Sequence, residues 1–193
     1  EGTAFKLDFA GELVDTFLPV IGDHMVGNAA LAACMGWAQG SSPEDIADAL
    51  HTAKLTGGRM ETKTVKGIQF IDDSYNANPD SMKAGLSALA ALKNSGRKIA
   101  VLGRMGELGS HALEGHRQVG IHAASLGLNA VYTVGDEAAL ISDAASAFGL
   151  SETQNFPNHE ACAVHLKAML HEGDAVLLKG SRSAGMEKVL IHF

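Results

Sequence analysis

The chain has 193 residues, 46% of them apolar, and a formal net charge of −7. That length allows one large domain, or one domain with part of a second. The acidic balance, with no Lys/Arg run, excludes a general nucleic-acid binder but leaves small anionic ligands open. There is no signal-peptide pattern and no apolar run long enough to span a bilayer, so the sequence reads as cytoplasmic with no membrane partner.

Taken in order, residues 5–9 and 13–18 alternate apolar and polar side chains, which predicts a β-hairpin. Gly22-Asp23-His24 reads as a turn. An Ala-rich helix then covers 25–39, carrying Met25, Leu31, Met35 and Trp37. Ser42-Pro43-Glu44-Asp45 has the pattern of a capping box opening a second helix, whose buried face is Ile46, Ala49 and Leu50. Thr56-Gly57-Gly58-Arg59 is the best linker candidate, followed by a change of pattern. From residue 61 strands and helices alternate. Strands are expected at 68–72, 98–102, 130–134, 152–156 and 175–179, and helices at 79–93, 111–126, 137–148 and 159–171. A short terminal helix begins near Gly185. The strands at 99–102 and 175–178 are apolar throughout, as strands covered on both faces should be. Successive βα units imply a mainly parallel sheet, hence a Rossmann-like α/β domain. Cys34 and Cys162 fall in apolar helical patterns and read as buried free thiols of a reducing compartment. The nine His show no metal-binding spacing, so no metal site is expected.

Four polar stretches could carry chemistry. Asp72-Asp73-Ser74-Tyr75-Asn76-Ala77-Asn78 follows an apolar strand, and Asn78-Pro79-Asp80 reads as the N-cap and first turn of the next helix. In open α/β sheets ligands bind at such carboxyl ends of strands. A bare turn requires neither Tyr75 nor a second Asp. Gly103-Arg104-Met105-Gly106-Glu107-Leu108-Gly109 also joins a strand to a helix, but its GxxGxxG spacing is not the dinucleotide fingerprint. Lys179-Gly180-Ser181-Arg182-Ser183 places two cations and two hydroxyls after a third strand, a grip for carboxylate or phosphate. Gly22-Asp23-His24-Met25-Val26-Gly27-Asn28 and Arg59 say little alone. No P-loop and no nucleophile elbow occurs in the chain.

In this order the stretches Gly22–Ala29, Gly58-Arg59, Asp72–Asn78, Val101–Gly109 and Lys179–Ser183 resemble the Mur ligases of peptidoglycan precursor synthesis. The Asp-Asp-Ser-Tyr-Asn-Ala-Asn run is similar to the branch that adds D-alanyl-D-alanine to UDP-N-acetylmuramoyl-tripeptide. The resemblance implies that residues 1–57 are the tail of a central ATP-binding domain, 58–60 a hinge linker, and 61–193 a carboxy-terminal Rossmann-like ligase domain. The abrupt opening at Glu1 fits a segment of something longer, with the P-loop and most ligands of Mg2+ upstream. The implied reaction uses ATP to make an acyl phosphate, which the dipeptide amine attacks. By resemblance, Asn28 with His24 would contact adenine and Arg59 the phosphates. Asp73 would accept the ribose hydroxyls, with Tyr75, Asn76 and Asn78 shaping the nucleotide edge. Lys179, Ser181 and Arg182, with Arg104 and its loop, would hold the dipeptide, and Arg59 and Lys179 would be the catalytic cations. A monomer is implied. The chain departs from the family pattern at Asp23, Met25 and Arg104. Two other readings fit the same text: a non-catalytic Rossmann-like binding module, and a sister ligase adding a different amino acid.

Overall fold

The computed structural model describes residues 2–54 and 57–193. The chain divides into two compact units, Glu1–Thr56 and Gly57–Phe193. Thr56, the first residue of the expected linker, lies outside the described residues, as does Glu1.

In the first unit, β1 (Thr3–Phe9) pairs antiparallel with β2 (Glu12–Leu18) as expected. Ala10 and Gly11 both take positive φ, 55° and 101°, the two-residue turn whose twist suits paired strands. Helix α1 (Asp23–Ala38) begins earlier than its periodicity suggested. Asp23 and His24 therefore lie in its first turn, where the Asp23 charge complements the helix dipole. Helix α2 (Pro43–His51) is capped by Ser42, whose Oγ accepts the Asp45 N–H at 3.1 Å. The capping box is only half formed, because the Asp45 carboxylate takes the Ser42 hydroxyl at 2.7 Å. Phe9, Ala33 and Ile46 form a small core flanked by Leu7, Val14 and Leu50. Two expectations fail here. Ala49 is exposed, and so is Cys34. The physical reason is that α1 turns only Ala29 and Ala33 inward, leaving Leu31 and Met35 about 70% exposed.

The second unit is a six-stranded sheet in the order β3-β4-β8-β5-β6-β7. β4 (Ile68–Asp73), β5 (Lys98–Gly103), β6 (Ala130–Val134), β7 (Thr153–Phe156) and β8 (Ala175–Lys179) are parallel. Edge strand β3 (Glu61–Val65) runs antiparallel to β4 and was not expected. Its residues 61–64 are all exposed polar side chains, so it carries neither apolar alternation nor an apolar run. The turn that makes it is Lys66-Gly67, both at positive φ, again the hairpin signature.

Helices α3 (Pro79–Ala91), α4 (Ala112–Ser125), α5 (Ala139–Ala147), α6 (His159–Met169) and α7 (Lys188–His192) cover the sheet. Side chains alternate across a strand, which sorts the layers. Phe70, Val101, Tyr132, Val176 and Leu178 join Cys162, Leu166 and Val189 in one core, so α6 and α7 lie on that face. Their neighbours in sequence point the other way. Thr133 bonds Ser142 of α5, and Leu177 lies against Gly85 of α3. The chain leaves β4 and β5 towards the α3–α5 face but leaves β8 towards the α6–α7 face. Loops diverging to opposite faces open a crevice at the carboxyl ends of the strands, the usual ligand position in such sheets. No helix among the described residues is long and apolar enough to cross a membrane.

Candidate active site at the carboxyl ends of the strands

The loop after β4 is built on its own polar side chains. Asp72 Oδ1 accepts both the Ser74 N–H, at 3.1 Å, and the Ser74 hydroxyl, at 2.6 Å. Asn76 Oδ1 accepts the Ala77 N–H at 2.8 Å. Asn78 caps α3 as expected, its Oδ1 accepting the Ser81 N–H at 2.8 Å, with Pro79 following. Asp72, Asn76 and Asn78 thus shape the loop that presents their neighbours.

Asp73 is the hub. Its Oδ2 accepts the Lys179 ammonium at 2.5 Å and its Oδ1 the Met60 N–H at 3.2 Å. The pair is buried, with the lysine and aspartate side chains 3% and 12% exposed. Lys179 also donates to the Asn76 carbonyl at 3.1 Å. The ammonium expected to grip the dipeptide is therefore turned inward, tying the end of β8 to the loop after β4. The stem of Lys179 crosses α3 at Gly85, where a Cβ would lie 3.2 Å from its Cδ.

Gly58, Arg59 and Met60 are fastened to the second unit. The Tyr75 N–H donates to the Gly58 carbonyl at 2.9 Å, and the Met60 N–H reaches Asp73 as above. These bonds flank Arg59 and set its guanidinium 4.2 Å from the centre of the Tyr75 ring. Gly58 has φ 74°, and a Cβ there would lie 3.1 Å from the Tyr75 nitrogen, so only glycine fits without strain. Arg59 is exposed and Tyr75 is 40% exposed. Together they offer a flat cation and aromatic surface beside a carboxylate.

The loop after β5 meets the loops after β6 and β8. Arg104 donates to Glu137 Oε1 at 3.0 Å and to Ser183 Oγ at 2.9 Å. Its carbonyl accepts the Ser181 N–H at 2.9 Å. Buried Ser181 lies 3.1 Å from Ser183, hydroxyl to hydroxyl. Arg182 stands apart. It bonds Glu187 at 3.1 Å and lines a groove of about 540 Å³ with Asp72, Ser74, Glu61 and Lys63. The residues expected around a dipeptide are therefore divided, with Arg104 and Ser181 on one rim and Arg182 on another wall. Glu137 went unremarked in the sequence because its partner, Arg104, is distant in the chain, and Ser183, one of the two hydroxyls noted after the third strand, gave no sign of that partner. His116, on α4, likewise bonds into this loop, through the Met105 N–H.

His24 and Asn28 belong to the first unit. They are one helical turn apart on α1, hence on one face, and Asn28 Nδ2 lies 3.8 Å from the Met25 sulfur. Among the described residues no cluster of three His, Cys, Asp or Glu is placed to hold a metal ion.

The second unit combines an acceptor carboxylate at a β4 terminus with an exposed guanidinium on an aromatic ring. A guanidinium fork matches phosphate oxygens, and Asp73 retains lone pairs for hydroxyl donors. Comparison with known proteins points the same way. Residues 58–182 match the family described as Mur ligase, glutamate ligase domain. The chain is 34% identical over 192 residues to the UDP-N-acetylmuramoyl-tripeptide–D-alanyl-D-alanine ligase of Bacillus subtilis, covering 98% of this chain and 42% of that one. Among solved structures it resembles MurF from Acinetobacter baumannii, with TM-score 0.86, 29% identity, and coverage of 98% and 41%. It also resembles the Thermotoga maritima MurF ligase in complex with ADP, with TM-score 0.85, 28% identity, and coverage of 100% and 43%. The chain thus spans about two fifths of the length of these relatives. With the parallel sheet, the ordered motifs and the matched residues agreeing, the chain belongs to the Mur ligase family.

Proposed function

We propose that the chain is the carboxy-terminal part of an ATP-dependent ligase that joins D-alanyl-D-alanine to UDP-N-acetylmuramoyl-tripeptide. The observation that carries this reading is the Asp72–Asn78 run, the stretch of the sequence most specific to that branch. It folds at the carboxyl end of β4 into a loop that pairs Asp73 with Lys179 and Tyr75 with Arg59. The names of the relatives support the substrates, and the ADP complex of the Thermotoga ligase supports the nucleotide.

In this reading the γ-phosphoryl group of ATP passes to the tripeptide's terminal carboxylate oxygen, leaving ADP. The dipeptide amine then attacks the acyl carbon, loses a proton, and phosphate departs. Such chemistry rests on positioning and charge neutralisation more than on covalent participation of the protein. Arg59, held over Tyr75, neutralises phosphate charge. Asp73 accepts the ribose hydroxyls, and Lys179 acts through Asp73 by fixing its carboxylate. Asn76 and Asn78 keep the loop and helix in register beneath the nucleotide. His24 and Asn28 contribute from the first unit, which is the tail of the central ATP-binding domain. Arg104 and Ser181 receive the dipeptide carboxylate, and Arg182 lines the neighbouring groove. Mg2+ would balance phosphate charge, with ligands supplied mainly by sequence upstream of this chain. In this reading residues 58–60 are the linker between the two parts. This reading assigns the reaction to the cytoplasm, since it uses ATP and a UDP-linked precursor.

The test is phosphate release by the full-length ligase given ATP, magnesium and UDP-muramoyl-tripeptide. Release that requires D-alanyl-D-alanine supports the assignment. Release driven by a single amino acid moves the chain to a sister ligase, and ATP-independent binding without any release leaves a non-catalytic module.

A further inference from the structure

His116 is among the most buried polar residues of the second unit, 1% exposed, and neither ring nitrogen is idle. The Met105 N–H donates to its Nε2 at 2.9 Å, and its Nδ1 lies 2.7 Å from the Ala112 carbonyl. A nitrogen that accepts from an N–H carries no proton, so the proton sits on Nδ1 and is donated to Ala112. The ring is neutral and its tautomer is fixed by two backbone groups. One of these belongs to its own helix. The other belongs to the 103–109 loop.

Two residues of that loop, Arg104 and Met105, are bonded from opposite sides, and Gly106 passes beside Ser181. The Arg104 carbonyl accepts the Ser181 N–H, and a Cβ on Gly106 would lie 3.7 Å from Ser181 Oγ. Between them the Met105 N–H points away from Ser181 to His116, with the Met105 side chain itself 2% exposed. Beside His116, a Cβ on Gly115 would lie 3.0 Å from Leu108 Cδ1 and 3.2 Å from Pro79 Cγ. Gly115 and His116 thus press α4 against the 103–109 loop and against the first turn of α3, where the Asp72–Asn78 loop ends. Helix α4 therefore bridges the two loops assigned to dipeptide and nucleotide.

We infer that His116 is a positioning residue for the incoming amine substrate: by accepting the Met105 N–H it fixes the backbone that orients Arg104 towards Ser181 and Ser183. The inference rests on the reading that the 103–109 loop receives the dipeptide. His116 does not touch substrate and acts through Met105. Glutamine can place an amide oxygen where Nε2 stands and keep the bond, whereas leucine cannot. Asparagine retains a polar group but is too short to reach Met105.

The experiment measures KM for D-alanyl-D-alanine and for ATP in full-length wild type, His116→Leu, His116→Gln and His116→Asn, each checked by thermal melting. The expected result is a rise of about tenfold in dipeptide KM for Leu, the scale of one lost hydrogen bond to a buried group. ATP KM stays within about twofold, and Gln restores most of the loss. If Leu fails to fold, Asn against Gln makes the same comparison. Equal dipeptide KM in all variants, parallel rises in both KM values, or a Gln variant as impaired as Leu or Asn would overturn the inference. If wild type turns over with a single amino acid and not the dipeptide, the substrate assignment fails instead, and the KM for that amino acid tests His116 in the same way.

Discussion

The second unit carries dense polar networks at both ends of its sheet, and they differ in what they leave undone. At the amino ends of the strands, Asp174 accepts the Arg97 N–H at 2.7 Å and the His171 N–H at 2.9 Å. Asn94 donates to the carbonyls of Gly96, Arg97 and Gly173. Glu152 takes the Tyr132 hydroxyl and the Arg97 guanidinium. The charges there close on backbone and on each other, and the Asn94 Nδ2 does the same, while its Oδ1 is left without a partner. At the carboxyl ends the pair of Lys179 with Asp73 is buried too, but Asp73 keeps lone pairs for further donors, and around it stand Arg59 and Tyr75, both open to solvent. Polar density by itself does not mark a site. A rigid buried hub with exposed, pre-aimed groups around it does.

The comparison can be tested, the largest effect coming first. Replacing Lys179 by Met leaves Asp73 buried and unpaired. Breaking one partner of such a pair costs about 3–5 kcal/mol, measured by chemical denaturation. The double variant Lys179→Met, Asp73→Leu should recover part of that loss, since removing both charges is often tolerated. Next, Gly58→Ala should cost about 1–2 kcal/mol, the price of a left-handed L-residue, and its loop should show raised amide exchange. Third, Tyr75→Ala in the full-length ligase should weaken ADP binding by about 0.5–1 kcal/mol with little change in melting temperature. Calorimetric titration checks this.

The smallest effect is at the amino-end rim. The Tyr132 hydroxyl first, and Arg97 after it, hold the Glu152 carboxyl below its ordinary range. A carboxyl depressed on folding adds stability above its unfolded value, near 4.5, and loses it as pH falls through the depressed value. Glu152→Gln should therefore lose a little stability at pH 7, under about 1 kcal/mol for a partly exposed pair, and flatten the curve below about pH 4.5, where variant and wild type converge. A variant that instead lost several kcal/mol at pH 7 would erase the contrast between the rims.

Much of this was legible in the sequence because its signals were local. The strands β5, β6 and β8 announced themselves as largely apolar runs, β4 and β7 by their place in the strand–helix alternation, and Asn78-Pro79 as a helix start. What stayed hidden depends on partners distant in the chain. Strand β3 is an exposed polar edge and has no pattern of its own. Lys179 looked like a ligand grip because a lysine after a strand cannot reveal that Asp73, 106 positions away, claims it. His116 sat in an amphipathic helical pattern where a core histidine is the ordinary expectation, and only the Met105 bond distinguishes it. Cys34 read as buried because its helix is apolar all round, yet within its own unit only one narrow face of α1 is packed. Cys162 was read correctly, and burial pushes its thiol up to about 12, so it stays protonated and inert.

Amide hydrogen exchange on the full-length ligase, with and without ADP and then D-alanyl-D-alanine, tests the central claim most directly. Nucleotide should slow exchange at residues 58–60 and 73–78, and the dipeptide should add protection at 103–109 and 181–183. The amino-end rim at 94–97 and 171–174 should stay unchanged throughout. Protection confined to that rim, or absent from the carboxyl-end loops with both ligands bound, would contradict the account.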